Sequence, residues 1–437
     1  MRWRGKHQSG LCGGLACLLS VGLLATSFSG CRTSWPPYKK PTTQRLTLQL
    51  ATWGSATEIA TLKPLLDAFE AKHPKIHVSL LHVPEYYYPK LHLLMAAKLA
   101  PDVMLMGSDM MPVYAEAGQL RNLAADISQQ AREPFYPNVM AAFSWPRKPP
   151  EKASKQISAS GGLYALPRDV SALAIFVNVD WFERAGVARP DEHTTWQDVL
   201  TFSPKLLKAA HTTPAYAISF NRTPPLYWLP FVWSWGGGGL ASMNTASDLL
   251  EDPNACRGLQ FYVDLVHKFH LAPSRQAAGN TPMTDRFLAG QLAMMINGHW
   301  AVPVLREKAR FRWTITPFPQ GPHGSRVGVD SAGYAVSAHT RHPKEALALA
   351  RFLTSPEAMA AFSESGLIMP ARKRLKRVNN AEGKHDTPSA IDKPFIEALE
   401  TGMATQSGAR WHRLSDALNQ ELEPVWESGV VACQRGK

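Results

Sequence analysis

Residues 286–305 read RFLAGQLAMMINGHWAVPVL, and after Arg286 the stretch carries no charged side chain. Three readings compete for such a run: a membrane span, a buried core segment, or the wall of a binding site. A membrane helix needs about 20 unbroken apolar residues. Here Gln291, Asn297, Gly298, His299 and Pro303 interrupt the run. The Asn-Gly pair marks a turn, and proline is disfavoured inside a helix. The stretch therefore reads as a short helix over 286–290, a buried strand over Leu292–Ile296, and a turn that opens another helix near Trp300. A strand that ends in a turn and a helix N-terminus places side chains at a sheet edge, where ligands sit in α/β proteins.

The flanking sequence repeats that alternation. LTLQLATWG (46–54) alternates as a strand, TLKPLLDAFEAKH (61–73) has helical spacing, and KIHVSLLHV (75–83) is a second strand. A helix over 88–99 and the strand PDVMLMG (101–107) follow. The pattern restarts at ALAIFVNVDWFERAG (172–186), with a helix from TWQDVL, a strand at AYAISFN (215–221), and helices over 224–235 and 256–270. Beyond the opening stretch, RWTITPFP and GYAVSA read as strands, and HPKEALALARFLTSPEAMAAFSESG as a helical pair. Residues 390–430 have amphipathic helical spacing. This order predicts an α/β fold with helices on both faces of parallel or mixed sheets. Two such lobes, joined by several crossings, leave an interlobe cleft, a preferred place for ligands.

Composition sets outer bounds. The chain has 437 residues, enough for two or three domains, and is 45% hydrophobic with 13 Trp and 11 Tyr. Lys and Arg outnumber Asp and Glu by 47 to 35. The positive charges are scattered. The one tight cluster, Arg372 to Arg377, has no nucleic-acid motif beside it, so no nucleic-acid partner is expected.

The N-terminus reads as a secretory signal over 1–30. A basic segment with Arg2, Arg4 and Lys6 precedes an apolar one and then Ser29-Gly30-Cys31. A small-small-Cys ending resembles the bacterial lipoprotein signal, which makes Cys31 the lipid-bearing first residue; ordinary peptidase cleavage nearby is the alternative. Residues 31–45, with three prolines, read as a lipidated tether. Of five cysteines, Cys256 and Cys433 remain for the fold. An oxidising compartment would let them pair, although sequence alone does not bring them together. No zinc-type spacing occurs, and neither a metal nor a cofactor is expected.

Several of these segments together resemble the bacterial extracellular solute-binding proteins of family 1, the substrate-capturing subunits of ABC importers. They are LTLQLATWG, LKPLLDAFEAKHPKIHVSLLHVP, KLHLLMAAKLAPDVMLMGSDMMPVYAEAGQLRNL, GLYALPRDVSALAIFVNVDWFERAGV, TTWQDVL, FLAGQLAMMINGHWAVPVL and SAGYAVSAHTRHPKEALALARFLTSPEAMAAFSESGLIMPARK. The likeness covers roughly 46–375 in the expected order. It departs at AAKLAPD, where the family carries a glycine after the helix, and at loops 146–160 and 376–388. It implies a type II periplasmic-binding-protein-like fold with discontinuous lobes: 46–168 with 292–330, and 169–291 with 331–437. It also implies a sugar as cargo, an ABC permease as partner, a monomer, and an exported protein held at the extracytoplasmic face by its lipid.

A sugar presents apolar C–H faces and a rim of hydroxyls, so its binder needs flat aromatics with fixed carboxylates and amides. On the positions matching the family's cleft, the candidates are Trp53, Ser55, Glu58, Asp109, Asp169, Ser171, Asn221, Trp233, Trp235, Gly236, Trp300, Tyr334 and Arg372. Tyr86–Tyr88 and Trp411 are further aromatics near the entrance or a late wall. Each has a plainer alternative: a packed strand end for Trp53, a helix cap for Asp109, hinge structure for Asp169, a solvated basic run for Arg372. Not all of Trp228, Trp233 and Trp235 fit on one helix face. An enzyme, such as a glycosidase using Asp109 and Asp169, is the main rival class. A non-sugar cargo (glycerol phosphate above all, also a peptide or polyamine) is the main rival within the fold.

Overall fold

The computed structural model describes residues 45–146, 161–222, 225–238, 246–364, 366, 368–373, 391–404, 411–431 and 433. The signal, the tether with Cys31, most of the two unmatched loops and the Trp411 side chain lie outside these residues.

The first sheet runs Ile76–His82, Leu46–Thr52, Val103–Gly107, Ala332–Val336, Ala165–Pro167. Its first three strands are parallel, as their β-α-β-α-β order requires, and the last two join antiparallel. The helix Ala56–Lys72 starts one turn earlier than its apolar spacing suggests, because the Ser55 hydroxyl caps it by accepting the Glu58 amide proton at 3.2 Å.

The second sheet runs Met403–Ala404, Gly328–Asp330, Asp169–Asn178, Leu292–Gly298, Tyr216–Ser219. Its spine is the ten-residue strand Asp169–Asn178, which also pairs with Trp313–Thr316 and Met369–Pro370. The helix Trp196–Lys208 begins with a reciprocal cap between Thr195 and Asp198. The opening stretch resolves as expected in kind: a helix Met283–Leu288, the strand, and a short 3-10 turn at His299–Ala301 leading into the helix Val302–Lys308. All seven residues of Leu292–Gly298 are buried. A strand covered on both faces reads as a continuous apolar run, which explains the missing charge.

Two strands correct the expected lobe boundaries. Leu292–Gly298 does not complete the first lobe. It lies between Asp169–Asn178 and Tyr216–Ser219 in the second sheet, where both of its edges find hydrogen-bond partners. Ala332–Val336 does not belong to the second lobe. It fills the first sheet between Val103–Gly107 and Ala165–Pro167. The helix Pro343–Leu353 then packs on that same first sheet. The chain thus passes between sheets at Arg168, at Ser331 and again before Met369–Pro370. The first two points are adjacent: the Arg168 amide donates to the Ala332 carbonyl at 2.8 Å. Cys256, in the helix Pro253–His267, is joined to Cys433 by a disulfide, with Cα atoms 5.9 Å apart.

Candidate functional site

A cleft of about 440 Å³ lies where the two sheets meet, around the crossings. The first sheet and its loops supply Trp53, Glu58, Tyr88, Gly107 and Asp109; the crossings supply Arg168 to Ser171 and Asp330 to Ala332. The second lobe supplies Leu226, Tyr227, His299 and Trp300, and Ile368 and Met369 close one side. A larger depression of about 570 Å³ near Glu183, Pro190 and Thr314 offers no exposed aromatic ring.

Four aromatic rings border the cleft. Trp53 ends the first strand and is propped edge-on by Tyr87, with centroids 4.9 Å apart. Tyr87 itself is buried and donates to the Leu105 carbonyl at 2.8 Å. Tyr88 points the other way, into the cleft, and its oxygen accepts the Gly107 amide proton at 2.9 Å. Burial, then the Asp109 carboxylate, pushes the Tyr88 phenol well above its ordinary pKa, so the hydroxyl proton stays in place. Gly107 permits this close approach: a Cβ would fall 2.4 Å from Asp109 Oδ1 and 2.9 Å from Tyr88 Oη, so one of those side chains would have to move. Trp300 is 44% exposed and lies over Gly298, whose missing side chain leaves room for the indole. Tyr227 is the fourth ring.

Arg168 organises the polar side. Its guanidinium is buried and holds Glu58 Oε1 at 2.7 Å and Asp169 Oδ2 at 2.6 Å. Burial works against its charge, but Asp169, Tyr334 and Glu58 outweigh that and raise its pKa further. The second oxygen of Asp169 accepts the Ala332 amide proton at 2.9 Å. Asp330 accepts from the Ser108 hydroxyl at 2.8 Å. The lining thus carries four carboxylates, Glu58, Asp109, Asp169 and Asp330, against one guanidinium. His299 bonds Asp392 through Nε2 at 3.0 Å. Its Nδ1 and the Ser171 hydroxyl are buried and have no hydrogen-bond partner among the described residues.

Six of the thirteen sequence candidates therefore meet in one cleft: Trp53, Glu58, Asp109, Asp169, Ser171 and Trp300. The remaining seven lie elsewhere. Ser55 is an exposed helix cap. Trp233 is 4% exposed in the core, and Trp235 stacks on Phe261 with centroids 4.5 Å apart. Gly236 adopts a left-handed turn against His323. Tyr334 is fully buried in the middle of the first sheet, beneath Arg168. Arg372 lies over the Phe135 ring at 4.4 Å and donates to the Thr354 carbonyl, outside the cleft. Asn221 lines a different pocket. Sequence reasoning did not single out Arg168, Tyr227, His299 and Asp330. Arg168 and Asp330 stand beside residues that were chosen, and their position at the crossings was the usable signal.

The sequence matches a known family. The sequence model for the bacterial extracellular solute-binding proteins fits residues 53–360. The chain belongs to this family. Among relatives of this solute-binding protein is the multiple sugar-binding protein of Streptococcus mutans, 23% identical over 392 residues, 86% of this chain and 87% of the relative. Among solved structures, the GacH receptor of Streptomyces glaucescens superposes with a TM-score of 0.74 at 21% identity, covering 89% of this chain and 94% of the receptor. UgpB of Mycobacterium tuberculosis, solved with glycerophosphocholine, gives 0.72 at 21% identity, covering 88% and 94%. These likenesses establish the two-lobed α/β fold of the solute-binding protein.

Proposed function

We propose that this protein captures a mono- or oligosaccharide in the interlobe cleft and delivers it, unmodified, to the permease of an ABC importer. What carries this reading is the pairing of aromatic faces with unsatisfied polar atoms in one cavity. Trp53, Tyr88, Tyr227 and Trp300 offer surfaces for sugar C–H faces. Ser171 Oγ and His299 Nδ1 are buried without partners among the described residues, a state that costs about 1–3 kcal/mol per group until a hydroxyl satisfies it. The carboxylates of Glu58, Asp109, Asp169 and Asp330 are acceptors for ligand hydroxyls. The sugar-binding relative supports the same cargo class.

The charge balance favours a sugar over a phosphorylated polyol. A phosphate entering the cleft would face four carboxylates and a single guanidinium already held by two of them. Arg372, the cation that made a phosphorylated cargo attractive, lies outside the cleft. The same balance favours a second reading, a cationic solute such as an amino sugar or polyamine. Capture requires no covalent step, and both Asp169 oxygens are already bonded within the protein, which disfavours the glycosidase rival.

Ligand that touches both lobes stabilises the closed arrangement, because only that form contacts it from both sides. Residues 1–30 would direct export, and lipid on Cys31 would hold the protein at the extracytoplasmic face. More than one acyl chain is needed for firm anchoring. A thermal-shift screen against sugars, maltodextrins, amino sugars, polyamines and glycerol phosphates tests the cargo. A ligand at 100 times its Kd stabilises by about 2.7 kcal/mol. A shift with a neutral sugar supports the first reading, a shift confined to amines the second. A shift with glycerol phosphate alone refutes both.

A further inference from the structure

We propose that a second pocket, separate from the cleft, binds a phosphate group through Arg286. The pocket has a volume of about 410 Å³ and shares no lining residue with the cleft. Arg286, the residue that opens the uncharged stretch, is 7% exposed and lines it. Its Nη1 donates to the Ala278 carbonyl at 2.9 Å, while its Nε is buried without a partner among the described residues. Among the described residues no carboxylate forms an ion pair with it. Burial depresses its pKa, opposed only by Tyr216. A buried charge with no counter-ion is costly, and an entering anion removes that cost.

The other cations of the pocket are already balanced. Arg275 pairs with Glu423 and Glu427, and Arg222 approaches the same two carboxylates at 4.0 and 3.7 Å. Arg222 and Arg275 thus share the two carboxylates, and Arg286, the most buried of the three guanidiniums, is left over. Ser274, Asn280 and Thr281 add hydroxyl and amide donors to the lining. A guanidinium fork matches phosphate oxygens, and the apolar wall of Tyr262 and Trp426 has room for a small organic body behind them. The ligand class is therefore a phosphate, free or as a monoester. This site stands independently of the cleft's cargo, whose lining has the opposite charge.

Isothermal titration of the full chain at constant ionic strength, with inorganic phosphate and with phenyl phosphate, tests the site. The expected result is saturable one-to-one binding that Arg286→Met weakens at least tenfold. Asn280→Asp, an exposed change that adds a carboxylate to the lining, does the same and carries the test should the first variant not fold. Trp300→Ala, in the cleft, leaves binding unchanged. Tighter binding of phenyl phosphate identifies a monoester site; equal binding of the two probes identifies a free-phosphate site. No saturable heat with either probe overturns the proposal. So does binding that Asn280→Asp leaves intact, or binding that Trp300→Ala abolishes.

Discussion

Trp233 sits in a run crowded with aromatics and Trp300 in one without another Phe, Tyr or Trp, and they do opposite things. The run YWLPFVWSW (227–235) concentrates three tryptophans, yet Trp228 and Trp233 are buried and Trp235 stacks on Phe261. Trp53 and Trp300 each stand alone beside a glycine where a strand ends, and both reach the cleft. Apart from Tyr227 at its start, which lines the cleft, this run packs into the core, because each helical turn rotates neighbours into packed surroundings. Access to ligand is decided instead by position relative to a strand end.

The largest effect that can break this contrast is on stability. Trp233→Ala should cost about 3–5 kcal/mol of unfolding free energy, read as a lower urea midpoint, with ligand affinity of the folded fraction unchanged. A drop in affinity without loss of stability would return Trp233 to the binding site. Arg168→Met should cost a similar 3–5 kcal/mol, because it leaves Glu58 and Asp169 as uncompensated carboxylates. Adding Glu58→Gln should restore part of that loss in the same titration. If it restores none, the ion pair is not what Arg168 supplies.

Smaller changes sharpen the contrast. Trp300→Ala should leave stability within about 0.5 kcal/mol while weakening sugar binding roughly tenfold by calorimetry. The two serines form a matched pair. Ser171→Ala removes a hydroxyl that has no partner among the described residues, so it should spare stability and lower affinity by up to about tenfold. Ser55→Ala removes a helix cap, so it should cost about 1 kcal/mol and leave affinity alone. The reverse pattern would exchange their roles.

The fold was legible because it rests on short-range periodicity. The buried return strand, the capped helix at Thr195 and the β-α-β alternation all lie within windows of a dozen residues. Sheet membership was less legible: Ala332–Val336 and Leu292–Gly298 look alike as apolar strands, and only pairing partners tell them apart. The site was half-legible. Trp53, Asp109 and Trp300 follow strand ends, which sequence marks. The pairing of Arg168 with Glu58 joins positions 110 apart, and no local pattern announces it. Tyr334 was misplaced because a strand beside a crossing looks like a cleft edge until its neighbours Leu105 and Leu166 enclose it. The glycine missing from AAKLAPD left a trace: Lys98 occupies the left-handed region at φ 60°, where glycine would sit without strain.

Arg168 occupies the point where the chain first passes between the lobes, and its partners reach into both. Cleft charge and foldedness are therefore tied to one side chain. A change that began at Arg168 would strand two buried carboxylates, whereas loss of Glu58 or Asp169 alone still leaves the guanidinium one partner. Diversification of the cleft's charge is therefore free to start at the carboxylates, while Arg168 could be replaced only after both had gone.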